Sequence, residues 1–233
     1  MNKTLLLLFA LFMVSCGEEQ PDLTVRADIK GLKKGTVYLK KVLDTTLVTV
    51  DSVVVNGSAL IELTSALESP EVFYLDLDKN STENERIGFF ADKGVTEIHT
   101  TLKNFALDAE IKGSEQQKLL EQYQLLMSRI KDRKLDLIKE SLEAQKRGDS
   151  SAMINYESKQ SNLIKSQYLQ TVNFAINHNN SEVAPYLALT EIYNARINFL
   201  DTINNSLTPE IKASKYGKEL DAYIKEIKSK DEN

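Results

Sequence analysis

Ser114-Glu115-Gln116-Gln117-Lys118-Leu119-Leu120-Glu121-Gln122-Tyr123, residues 114–123, is where the period of the chain changes. A serine followed three residues on by glutamine is a capping-box pattern, in which the cap hydroxyl takes a backbone N–H of the first turn. Beyond it Leu119, Tyr123, Leu126, Ile130, Leu137 and Leu142 recur at mostly helical spacings up to Arg147. Gly148 suits the left-handed position after a helix, and Asp149 or Ser150 can cap the next one. Met153, Tyr156, Leu163, Tyr168, Val172 and Ala175 carry a second stripe to about Ile176. Two helices of about 30 residues joined by Gly148-Asp149 make a long antiparallel hairpin. After the breaker Asn177-His178-Asn179-Asn180-Ser181, helix is expected over Glu182–Ile197, with Pro185 tolerated in the first turn. Thr208-Pro209-Glu210 starts another, and Tyr216–Lys228 is the last before a polar tail. Seven of the nine tyrosines lie in this half, and tyrosines at helical spacing are read as core with the hydroxyl at the rim.

Upstream of Ser114 the period is two. Leu23-Thr24-Val25-Arg26-Ala27-Asp28-Ile29 alternates apolar and polar, the mark of a half-buried strand. Thr36–Val42, Leu47–Val55, Ser58–Leu63, Glu71–Leu77, Arg86–Phe90, Val95–Leu102 and Phe105–Ile111 read as further strands, and Asp78–Glu85 as an exposed loop. Asn56-Gly57 between two such runs predicts a tight hairpin, since both central residues of that turn need positive φ. The expected architecture is α+β: an N-terminal antiparallel β-sandwich or open barrel over 23–112, then an all-α domain over 113–230.

Composition narrows the chemistry. Of 233 residues, 42% are apolar and 27% charged, so a globular fold is expected. Net charge is -5, which argues against nucleic acid as a partner. One cysteine makes no internal disulfide, no CxxC pair and no thiolate zinc cage.

Met1-Asn2-Lys3 is a short positive start, and Leu5–Val14 is unbroken apolar sequence. Its ten residues make a helix of about 15 Å, half of a hydrocarbon core of roughly 30 Å, so it does not span. This is the layout of a secretory signal peptide, residues 1–15. Met13-Val14-Ser15-Cys16 resembles the bacterial lipobox, which implies lipidation of Cys16 and an outer-membrane anchor, with periplasmic or cell-surface side open. Residues 16–22 then form the lipidated cysteine and an acidic tether. Glu18-Glu19 just behind the cysteine resembles the surface-export signal of Bacteroidetes lipoproteins, an ordinary solvated tether being the other reading.

The strand ending at Ile29-Lys30-Gly31-Leu32, then Val37-Tyr38-Leu39, then Asp51-Ser52-Val53-Val54-Val55-Asn56-Gly57 resemble the "domain of unknown function 4369" of Bacteroidetes envelope proteins. Asn180-Ser181 before Tyr186-Leu187 and Ser214-Lys215-Tyr216-Gly217-Lys218 resemble the helical segment that usually follows it. In the commonest members a thioredoxin-like thiol-disulfide oxidoreductase domain comes next. This chain holds no CxxC, so the family's redox role passes to none of its residues.

Other constellations are weak. His99 and His178 lack ligand-spaced companions, and no HExxH, GxSxG, phosphate loop or EF-hand loop is present. Asp76, Asp78, Glu83 and Glu85 are a poor calcium set without the turn glycine. Lys131-Asp132-Arg133-Lys134 reads as a solvated helix face. Asp44-Thr45-Thr46, Asp51-Ser52-Val53 and Asp201-Thr202-Ile203 match a short Bacteroidetes O-glycosylation motif. The expectation is therefore a non-catalytic envelope lipoprotein, a binding or assembly module, with no catalytic residue, cofactor or metal. Its partners are the membrane through the lipid and a protein, a peptide taken by strand addition, or a second copy. The alternative is an accessory or truncated relative of a thiol-disulfide redox pathway, acting with a separate thioredoxin-like partner.

Overall fold

The computed structural model describes residues 21–57, 60–78 and 86–231. The apolar leader, Cys16, the start of the tether and residues 79–85 of the polar loop lie outside the described residues. Eight strands come first among those described: β1 (Leu23–Lys30), β2 (Lys34–Leu43), β3 (Thr46–Asn56), β4 (Ile61–Ser65), β5 (Glu71–Asp78), β6 (Arg86–Ala91), β7 (Gly94–Thr101) and β8 (Glu110–Lys112). Six helices follow: α1 (Glu115–Arg147), α2 (Ser150–Asn177), α3 (Val183–Thr190), α4 (Ile197–Ser206), α5 (Pro209–Ala213) and α6 (Lys215–Asp231). The α+β expectation holds.

The strands form two four-stranded sheets, ordered β4-β1-β7-β8 and β3-β2-β5-β6. The β1–β7 ladder is parallel, Leu23 opposite Gly94 and Lys30 opposite Thr101, and the other ladders are antiparallel. Leu23, Val25, Ala27 and Ile29 of β1 turn inward as their alternation requires, and meet Val37, Leu39, Phe73, Leu75 and Phe89 of the facing sheet. Each large side chain withdrawn in this way contributes about 1.5–3 kcal/mol.

β5 and β6 are buried on both faces where Glu71–Phe73 pairs with Phe89–Ala91. Phe73 and Phe89 point into the sandwich, while Val72 and Phe90 point outward into a second core with Tyr123, Met127, Val183, Leu187 and Tyr216. The helices thus form a third layer over one side of the second sheet. Phe90 meets Tyr186 and Tyr216 edge-on, at 5.4 and 5.8 Å between centroids. The Val72 N–H, beyond the end of the β2–β5 ladder, donates to the Tyr216 hydroxyl at 3.0 Å. Tyr123 is likewise buried, its hydroxyl 2.8 Å from Thr171 Oγ1.

α1 starts and stops as its sequence implies. Ser114 Oγ accepts from Gln117 N at 2.9 Å, and Gly148, at φ 68°, closes the helix. Asp149 accepts from Ala152 N at the head of α2. The capping box is only half made: Gln117 Oε1 accepts the N–H of Phe90 at 2.8 Å instead of reaching back to Ser114.

Three sequence expectations need correction. Asn56-Gly57 makes no hairpin, because β3 and β4 belong to different sheets. Gly57, at φ +93°, turns the chain from one sheet to the other and donates its N–H to Lys33 O. The tight hairpin joins β2 and β3 through Asp44-Thr45, with Asp44 at φ 55°. Residues 102–108 are turns rather than strand: Asn104 N donates to Thr101 Oγ1, Asp108 N donates to Asn104 O, and Phe105 plugs the sandwich with no exposed surface. Helix over Glu182–Ile197 stops at Thr190, and an unexpected α4 begins at Ile197. Tertiary contacts take over the intervening backbone and side chains: Tyr223 donates to Tyr193 O, Tyr168 donates to Asn194, and Ile192 is fully buried.

Among the described residues, each of the four edge strands carries one feature that hinders further pairing. β3 carries an extra residue, Val50, in its pairing with β2. The next residue, Asp51, accepts from Ser52 N and from Thr64 N of edge strand β4, both at 2.7 Å. Gln117 takes the Phe90 N–H on β6, and β8 is three residues long.

Candidate functional site

A cleft of about 850 Å³ opens where the β2–β3 hairpin and the chain entering β5 face α5 and α6. Glu71 lies at its floor with a side chain 6% exposed. It receives Lys41 Nζ at 2.9 Å and is also paired with Lys215, whose ammonium donates to Val42 O at 3.1 Å as well. A carboxylate this deep is tolerated because two ammonium groups converge on it. Lys215 opens α6, so one ion pair fastens the last helix to the second sheet.

Glu182, at the head of α3, is the second buried carboxyl, at 3% exposed. Its companion is a hydroxyl: Ser214 Oγ stands 2.6 Å from Glu182 Oε2 and 2.7 Å from Ile211 O. A serine has one proton, and both neighbours are acceptors when the carboxyl is ionised. Both short contacts are satisfied when Glu182 is protonated and donates to Ser214, which donates to Ile211 O. Burial, opposed by Ser214 and reinforced by the charge of Glu210, pushes the Glu182 carboxyl from 4.5 to about 7. Burial also raises Glu219, with Lys215 opposing and Glu71 reinforcing.

The stretch Ser214-Lys215-Tyr216-Gly217 is therefore a set of fasteners. Ser214 holds Glu182, Lys215 holds Glu71, and Tyr216 holds the Val72 N–H against Phe90. A Cβ on Gly217 would stand 1.9 Å from Ile211 O, so α6 crosses α5 only with glycine there. Ser181 acts similarly, donating to Gln116 Oε1 at 2.5 Å and accepting from Val183 N. The Asp51-Ser52 pair closes the sheet edges described above.

Other sequence candidates are spread apart. His99 is exposed, 3.8 Å from Asp28. His178 lies against Phe174, its Nδ1 2.8 Å from the Phe174 carbonyl. Burial alone would raise Asp76, but Arg86 at 2.6 Å and Lys40 at 2.7 Å hold its carboxyl low, so it is already neutralised. Glu83 and Glu85 lie outside the described residues. Among the described residues no three His, Cys, Asp or Glu side chains gather as a metal site. No described helix is long and apolar enough to cross a membrane. Arg133 pairs with Glu140 at 3.0 Å on an exposed helix face. Asp44-Thr45 forms the β2–β3 turn, and Thr202 donates to Asn198 O at 2.6 Å while Asp201 pairs with Lys228. The sequence reading missed Glu71, Glu182 and Lys41 as site residues, and named Ser214 and Lys215 without their roles. The available signal was a glutamate opening an apolar strand, at Glu71-Val72-Phe73.

No curated protein and no solved structure matches this chain. Residues 23–120, all eight strands and the first turn and a half of α1, match the family model described as a domain of unknown function (DUF4369).

Proposed function

We propose that this protein is a non-catalytic binding module of the cell envelope, held at the outer membrane by lipid on Cys16, with the Glu71–Lys215 cleft receiving its partner. The cleft carries this reading. Its volume, about 850 Å³, lies within the range of ligand-binding sites, roughly 300–1,000 Å³. The groups in it that chemistry would recruit are already engaged: Ser214 with Glu182 and Ile211, Lys41 and Lys215 with Glu71. The anchor rests on the apolar run that ends at the chain's single cysteine.

A photo-crosslinking residue in place of Leu43, an exposed wall of the cleft, tests the site in intact cells. An adduct that Lys218→Glu weakens is the expected result, and no adduct with any protein, peptide or glycan refutes the module. Mass spectrometry of the native product reads the anchor separately, an unmodified Cys16 being the adverse outcome. Disulfide reductase activity of the purified chain would contradict the absence of catalysis.

A further inference from the structure

Three turns meet at the end of the sandwich where β1 gives way to β2. Gly57 N donates to Lys33 O at 2.7 Å, and Leu102 N donates to Lys30 O at 3.0 Å. The β1–β2 turn, the chain leaving β3 and the chain leaving β7 are thereby tied backbone to backbone into one platform. Two grooves open on it and share Lys30 and Gly31 as walls, with Lys33 and Lys34 lining one and Lys103 the other. These four lysines are exposed, and among the described residues none has a carboxylate within ion-pair distance. Elsewhere in the sandwich, among the described residues, Arg26, Lys40, Lys41, Arg86 and Lys93 sit against carboxylates, and Lys112 on β8 does not. Among the described residues, Asp108 accepts from Thr101 Oγ1 at 2.7 Å and Asp78 has a partner of its own, while Asp28, an exposed wall of the first groove, stands 3.8 Å from His99.

Two exposed leucines adjoin the groove walls in sequence. Leu60 is 73% exposed and adjoins Ile61, a wall of the first groove; Leu107 is 89% exposed and adjoins Asp108, a wall of the second. Exposed ammonium groups lining two grooves that share a wall, with exposed leucines next in sequence to both linings, match a lipid headgroup region, where amines meet phosphates and leucines enter among the acyl chains. The chain as a whole carries -5, so the attraction is local to this end. A flat acidic protein would satisfy the lysines and leave Leu60 and Leu107 in water.

We propose that this end of the sandwich docks on an anionic lipid surface. Co-sedimentation of the full chain with phosphatidylcholine vesicles, and with vesicles containing phosphatidylglycerol, tests it. The apolar leader binds both kinds, so the reading is the increment between them. A clear increment that 0.5 M salt suppresses is expected, with Lys33→Ala lowering it about fivefold. Changing Lys30, Lys33, Lys34 and Lys103 together to glutamate should abolish the increment while circular dichroism stays unchanged; its survival would overturn the proposal. Leu60→Ser with Leu107→Ser should also weaken binding. If that double variant binds like the unaltered chain and soluble polyphosphate competes the vesicles off completely, the platform reads anionic charge alone and the lipid assignment fails.

Discussion

The base and the arm of the helical hairpin carry similar apolar stripes and have different neighbours. At the base Tyr123, Met127 and Ile130 are buried against Phe90, Val183 and Leu187. Along the arm α1 buries Leu137 and Ala144, while Leu135 stays 66% and Leu142 54% exposed. Two helices alone share a single seam, so a stripe wider than that seam leaves residues in water. The base has three surfaces to fill: α2, α3 and the outer face of β6. Burial along one helix is thus set by what lies beside each turn, and the repeat alone does not reveal it.

The comparison breaks if base and arm respond alike. Phe90→Ala at the base should cost about 3–5 kcal/mol in denaturant unfolding, through the lost ring and the cavity left among Tyr186, Tyr216 and Val72. Tyr216→Phe keeps the ring but leaves the buried Val72 N–H without its acceptor, a loss of about 1–3 kcal/mol. Glu182 sharpens the contrast through pH. With its carboxyl raised from 4.5 to about 7, the native state keeps a proton that the unfolded chain releases. That stabilisation is whole below about 4.5, fades as pH rises and is gone above about 7, a change of the order of 3 kcal/mol. Glu182→Gln should flatten this part of the stability–pH curve. At the arm tip Gly148→Ala places a side chain at φ 68° and should cost about 1 kcal/mol. Leu142→Ser, on the exposed side of the arm, should change stability by no more than about 0.5 kcal/mol. Equal losses for Phe90→Ala and Leu142→Ser would mean that the arm is as tightly packed as the base.

Much of this frame was legible from local pattern. Alternation in Leu23–Ile29, the cap at Ser114 and the Gly148-Asp149 break are each fixed within a few residues of chain, and the corresponding elements stand where they were expected. Pairing was harder to read. Asn56-Gly57 has hairpin chemistry, yet the glycine's positive φ serves a crossing between sheets, because β4 finds its partner in β1. The run Glu182–Ile197 is helical by composition, and tertiary contacts from Tyr168 and Tyr223, with the burial of Ile192, accompany its break. The cleft was least visible. Glu71 and Lys215 are separated by 144 positions, and neither is unusual until the fold brings them together. The resemblance of Ser214–Lys218 pointed to the right residues but not to their work as fasteners.

The stoppered rims of both sheets bear on how copies of this molecule tolerate crowding. A neighbour that would extend a ladder meets Asp51 against β4, Gln117 against β6 or the three-residue β8, so contacts between copies that rest on side chains are favoured, and these yield to salt or mild detergent. Strand addition to β4 or β6 is hindered while Asp51 and Gln117 hold their N–H partners, so a rise in amyloid-dye fluorescence on heating should trail the loss of tertiary structure.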